Sequence, residues 1–170
     1  MADIQNVGSL EIDQDLDFQQ KEWRLQRICW SIMALLIVAA LLGLTGSGPL
    51  ARAAAGDAGA PLQLEYSRFV RLNAPTTLDI EIAGEAIAGD QVELRVARAY
   101  LQDVSVEQIV PEPAEVRSAG DHLIFVFAVA QPGQPVAVTF DLRHTAFGPT
   151  SGQVGLADEM AVDFGQLILP

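Results

Sequence analysis

Two histidines and the acids beside them are the first residues to weigh for chemistry. His122 directly follows Asp121, and His144 lies three positions after Asp141. Two imidazoles and two carboxylates form a donor set that a zinc-like cation accepts. The local patterns speak against such a site. No H-x-H or H-E-x-x-H spacing occurs, and no cysteine lies in this half of the chain. His122 opens an apolar run after a Gly-Asp turn, and His144 closes one, so both are expected at exposed strand ends. No metal and no cofactor are predicted.

Nucleophilic chemistry finds less support. There is no G-x-S-x-G elbow, and Ser151-Gly152 sits in the turn-like stretch FGPTSG. The single cysteine, Cys29, lies inside the most apolar block of the chain. Asp79 and Glu81 are two residues apart, as a carboxylate pair would be. They alternate with Leu78, Ile80 and Ile82, so they belong to the solvated face of a strand. A Walker loop and a dinucleotide fingerprint are both absent. The expectation is a protein that is not an enzyme.

Charge narrows the partners. Ten basic residues against 22 acidic ones leave a net charge of −12. Phosphate backbones would repel such a chain, so nucleic acid is not an expected partner. Arg68, Arg71, Arg95 and Arg98 are a local exception to this acidity. Arg95 and Arg98 have opposite parity, so one face of a regular strand cannot present both, and scattered solubilising charge is the simpler reading.

The elements that must position these residues show a change of period near residue 62. Alternating apolar positions recur at Leu62, Leu64, Tyr66; Leu78, Ile80, Ile82; Val92, Leu94, Val96; Val104, Val106; and Val136, Val138, Phe140, Leu142. Each run is half-buried strand by this pattern. Residues 122–129, HLIFVFAV, are apolar on both faces and read as a central strand. Runs 153–157 and 161–169 add two further candidates. Turn signals at Ala88-Gly89-Asp90, Ala119-Gly120-Asp121 and Gln131-Pro132-Gly133-Gln134 separate them. Seven or eight short strands without a convincing helix predict an all-β domain: an antiparallel β-sandwich of immunoglobulin-like architecture, with a small barrel as the alternative. One cysteine permits no internal disulfide, so the core alone must hold it.

The N-terminal third is organised differently. Residues 1–13 are polar and are expected to be disordered. Arg27 and Arg52 bracket a stretch without formal charge, Ile28 to Ala51, long enough as a helix for the roughly 30 Å hydrocarbon core of a bilayer. Trp23 and Trp30 stand near its inner end, where aromatic belts form. Two readings compete. Ala51-Arg52-Ala53 and Ala53-Ala54-Ala55 fit signal-peptidase sites, whereas the long acidic region ahead of the apolar core fits an anchor that stays. Lys21, Arg24 and Arg27 precede the helix and only Arg52 follows closely, which places the N-terminus in the cytoplasm. Ala39, Gly43 and Ser47 follow small-xxx-small spacing, a face through which membrane helices pack.

These observations predict a cytoplasmic tail and juxtamembrane segment over 1–27, a transmembrane helix over 28–50, a linker over 51–61 and a β-sandwich over 62–170. The expected role is a bitopic accessory or scaffold protein of the bacterial inner membrane. Its extracytoplasmic sandwich would bind another membrane or periplasmic protein. The alternative is a small-ligand or sensor domain, tethered or released by cleavage. PEPAEV, 111–116, is expected as an extended exposed connection. The apolar C-terminus, through Gln166, Leu167, Ile168 and Leu169, is a docking edge if nothing pairs with it. The sequence leaves the oligomeric state open.

Overall fold

The computed structural model describes residues 3–7, 10–14, 16–42, 51–57, 59–87, 89–156 and 160–170, with side chains described from residue 21 onward except at 160. The chain divides into two units, Met1–Leu41 and Leu42–Pro170.

In the first unit β1 (Asp3–Val7) and β2 (Leu10–Gln14) pair antiparallel. A hairpin therefore occupies the stretch expected to lack order. The spacing of Leu10 and Ile12, two apart, is the strand signal that a purely polar reading of this segment passes over. Helix α1 follows over Leu16–Leu41. Its segment Lys21–Leu41 has 21 residues, a mean hydropathy of 1.6 and no buried share. At 1.5 Å per residue it measures about 32 Å, the thickness of a hydrocarbon core. Arg27 stacks over the Trp23 ring at 4.0 Å, and Ser31 Oγ donates to the Arg27 carbonyl at 2.9 Å. This one apolar helix points to membrane anchoring.

The second unit is a two-sheet β-sandwich. Its strands are β3 (Arg52–Ala55), β4 (Leu62–Ser67), β5 (Phe69–Arg71), β6 (Pro75–Ile82), β7 (Gln91–Ala97), β8 (Val104–Val110), β9 (Glu115–Ala119), β10 (His122–Ala128), β11 (Val136–His144), β12 (Gly148–Leu156) and β13 (Met160–Leu169). One sheet runs β5-β13-β12-β7-β10-β9 and the other β3-β4-β6-β11-β8. All neighbours are antiparallel except β5 and β13, which are parallel. Every alternating run of the sequence becomes a strand. Runs 122–129, 153–157 and 161–169 also give strands, β10, β12 and β13, and three strands fall outside every run read from the sequence: β3, β5 and β9. The first of them takes 52–55 out of the expected linker, pairs with β4 and has Ala53 buried. A short helix α2 (Arg98–Gln102) closes one corner and buries Tyr100.

Inward parity builds the core. Leu62, Leu64, Leu78, Ile80, Ile82, Val138, Phe140 and Leu142 from one sheet face Val92, Leu94, Val96, Phe125, Phe127, Val154 and Phe164 from the other. Phe125 and Phe140 meet edge to face across the sheets, with centroids 5.3 Å apart. Strand β10 is buried on both faces, as its unbroken apolar run requires. Its outward Ile124 and Val126 stand between Arg95 and Arg117 and between Glu93 and Glu115. Arg117 reaches across β10 to pair with Glu93, roofing this strip with the stems of long side chains.

Gly152 shows how tightly the core is filled. A Cβ there would lie 2.4 Å from Phe164 Cζ and 3.0 Å from Tyr100 Cδ2, whereas at Gly165 the nearest atom would be 4.0 Å away. Gly152→Ala is therefore expected to cost about 1–3 kcal/mol by overpacking, while Gly165→Ala leaves stability unchanged or slightly raised. Urea denaturation of the two variants beside the parent checks the contrast.

Candidate functional site

The chemistry-bearing side chains do not converge. His122 opens β10 in the six-stranded sheet, where its Nδ1 lies 2.7 Å from Asp121 Oδ1 in a solvated turn. His144 ends β11 in the other sheet. Among the described residues no three His, Cys, Asp or Glu side chains gather as a metal would require. Asp79 and Glu81 are exposed on the outer face of the five-stranded sheet. Thr139 Oγ1 donates to Asp79 Oδ1 at 2.7 Å. A shallow groove of about 260 Å³ on that outer face is lined by Glu65, Asp79, Glu81 and Thr139. It lies on the surface of one sheet.

His144 is the main departure from expectation. It is fully buried, not exposed. The cause is parity: β11 runs two residues past Leu142, so His144 shares the inward side of Val138, Phe140 and Leu142. Its ring meets Tyr100 edge-on at 5.9 Å, and neither ring nitrogen has a hydrogen-bond partner among the described residues. Burial pushes the imidazole pKa below its usual value. The nearby Gln166 amide and Asp103 carboxylate act in the opposite direction.

Gln166 is the second buried polar residue, and both ends of its amide are hydrogen-bonded. Tyr100 Oη donates to Gln166 Oε1 at 2.9 Å, and Gln166 Nε2 donates to the Ser67 carbonyl at 2.9 Å. This ties α2, β13 and β4 together inside the corner. Burial raises the Tyr100 pKa, so its hydroxyl stays a donor. The arrangement is structural in character, since nothing in it opens to solvent as a reacting group must.

The expected docking edge at Gln166–Leu169 is corrected by the same strand. β13 has β12 on one side and β5 on the other, so its backbone is paired on both sides over Leu167–Leu169. Gln166 and Ile168 are buried, and only Leu167 projects clearly outward. A three-residue strand too short to read in sequence closed this edge. Of the proposed helix-packing face, Ala39 lies on α1, while Gly43 and Ser47 fall outside the described residues.

The open side of the sandwich lies elsewhere. β8 ends one sheet and β9 ends the other, and residues 111–114 link them. PEPAEV is thus both connection and strand, because β9 begins at Glu115. Val110 is 49 % exposed, Val116 is 50 % exposed and Val106 is 38 % exposed. Val116 pairs opposite the buried Phe125, and Val106 opposite the buried Leu142, so both carry inward parity into solvent at the rim of the core. The register of β8 shifts between Asp141 and Leu142, leaving Glu107 as the extra residue. It pairs with Arg143 at 2.6 Å, and this cation holds its carboxyl below the usual range. A bulged, charged β8 resists strand addition at its centre, whereas β9 runs regular and exposed.

No protein-family model matches the chain, and comparison with curated proteins finds no match. Solved structures do resemble it. A cohesin module from a Clostridium perfringens family 33 glycoside hydrolase is 11 % identical at a TM-score of 0.43, covering 64 % of this chain and 95 % of that one. The PmoD soluble domain from Methylocystis sp. is 15 % identical at a TM-score of 0.30, covering 61 % and 79 %. The cupredoxin domain of amoB from Nitrosocaldus yellowstonii is 9 % identical at a TM-score of 0.26, covering 65 % and 57 %. Identities this low confine the likeness to fold.

Two outcomes follow for the buried corner. An imidazole with a depressed folded pKa makes the unfolded chain bind the extra proton, so stability is fully present above about pH 6.5 and falls as pH drops below it. Glu107 acts in the same direction, but only near and below its own ordinary value of about 4.3. Unfolding midpoints between pH 7.5 and pH 5 are therefore expected to fall in the parent and to flatten in His144→Leu. Tyr100→Phe leaves Gln166 Oε1 buried without its donor and is expected to cost about 1–3 kcal/mol at every pH in that range, measured the same way.

Proposed function

We propose that this chain is a single-pass accessory protein of a bacterial envelope complex, anchored with its N-terminus in the cytoplasm. Its sandwich lies outside the inner membrane and holds a protein partner across the β8–β9 side. The observation that carries the reading is the combination of an unburied apolar helix with a β-domain that leaves Val110 and Val116 half exposed beside two free strand edges. Burying such valines against a partner is favourable by the area they remove from water. The regular edge of β9 offers backbone groups to an extended segment of that partner.

Several features support the finer points. Lys21, Arg24 and Arg27 sit on the N-terminal side of the apolar segment, which favours the inward N-terminus. Ala53, Ala54 and Ala55, which mimic a peptidase site, belong to β3. A cut there would remove a strand and bare the edge of β4, so retention of the anchor suits the fold. The reading includes no catalytic step, in keeping with histidines held in separate sheets and a buried corner closed to substrate.

Expressed in bacteria, the full-length chain is expected to resist carbonate extraction from membranes, with its sandwich digested by protease added outside the inner membrane. A soluble chain starting near Ala54 or Gly56 would sink the anchor. Val116→Glu is expected to weaken partner retention in detergent about tenfold without moving the unfolding midpoint. Unchanged retention would move the partner surface away from β9.

A further inference from the structure

The outer face of the six-stranded sheet changes character at its β5 end. Phe69, Leu167 and Pro149 stand side by side across β5, β13 and β12. They point away from the core, because their neighbours Val70 and Ile168 take the inward parity and are buried. Leu167 is 39 % exposed. Phe147, two residues ahead of Pro149, is 78 % exposed. Two cations flank this group. Arg71 pairs opposite Leu169, and Arg68 directly precedes β5. Both are exposed and make no ion pair among the described residues. Arg68 and Arg71 thus form a local positive spot on a chain of net charge −12.

The tether joins the domain at this same corner. The Arg68 N–H donates to the Ala51 carbonyl at 2.6 Å, and the Leu167 N–H donates to the Arg68 carbonyl at 2.7 Å. Two successive hydrogen bonds therefore connect the residue where the tether ends to the middle of the apolar row. Ten residues, Leu42 to Ala51, separate α1 from β3. Even fully extended they reach about 35 Å. Along the chain, this corner is the first part of the sandwich that the tether meets.

We propose that the Phe69–Leu167–Phe147 corner rests on the anionic surface of the bilayer that holds α1, with Arg68 and Arg71 on lipid phosphates and Phe147 in the headgroup layer. The proposal rests on the anchored reading given above. Charge selects this occupant: exposed arginines beside an exposed phenylalanine are the makings of an interfacial contact, and the acidic remainder of the domain is repelled from the same surface. β5 and β3 lie at one side of the sandwich, and β8 and β9 at the other. Contact at the first side leaves the valines of the second directed away from the membrane.

The test uses the full-length chain reconstituted in vesicles of phosphatidylcholine, with or without roughly a third phosphatidylglycerol. Trp23→Phe and Trp30→Phe remove the native indoles, and Phe147→Trp places a single one at position 147. Bromine-labelled lipid is expected to quench this indole in the anionic vesicles and to quench it less in phosphatidylcholine alone. Arg68→Gln with Arg71→Gln is expected to weaken the apposition by roughly fivefold per arginine. An indole that stays open to aqueous iodide while the chain remains in carbonate-washed vesicles overturns the corner proposal alone. A chain that washes out of the vesicles overturns the anchor and the corner with it. Shielding of the same indole by a co-purified protein in lipid-free detergent assigns the corner to a protein and overturns the lipid contact.

Discussion

Leu62, Leu64, Phe127 and Phe140 have no accessible surface to speak of, and the domain depends on that. Two sheets bury one face each against the other, and no disulfide assists them, since the single cysteine lies on α1. Apolar burial of this kind is proportional to area and indifferent to direction, so it specifies a sandwich through parity alone. A strand shifted by one residue would turn Leu78, Ile80 and Ile82 outward and Asp79 and Glu81 inward. That penalty fixes register in β6 and, through its pairing, in β4 and β11.

The same parity carries polar residues inward where strands outrun their apolar runs. His144 continues the row of Val138, Phe140 and Leu142, and Gln166 lies between Phe164 and Ile168. Their fates differ. Gln166 has a donor in Tyr100 and an acceptor in the Ser67 carbonyl, while the His144 nitrogens have no such partners among the described residues. One is a tie across three elements, and the other is a cost the corner carries.

The fold class was legible because period-two alternation is a direct image of a half-buried strand, and every run that showed it is paired. What escaped was short, small or polar. β3 is an arginine and three alanines, a composition that reads as linker. β5 has three residues, too few for a period. β9, Glu115–Ala119, is exposed throughout, so burial left no mark on its letters. These are also edge strands, where one side of pairing suffices and sequence demands relax. The docking edge assigned to Gln166–Leu169 failed for this reason: its closure depends on β5. The burial of His144 was present in the letters, two residues beyond Leu142, and is hidden only if the strand is ended at the last apolar residue. Val104 and Val106 of β8 alternate like core residues, and only the sheet order reveals that Val106 stands at the rim.

β3 has a mechanical consequence. In the anchored reading, any pull between membrane and domain arrives at Ala51, one residue ahead of a four-residue strand that borders a single neighbour. The pairs from Arg52 with Ser67 to Ala55 with Leu64, and the Arg68 to Ala51 bond, take the load before any other part of the sandwich. Their rupture would lengthen the leash by about 15 Å while β4, β6, β11 and β8 keep their pairing. The first strand of the domain is thus placed to act as a fuse, yielding under tension so that the core behind it need not.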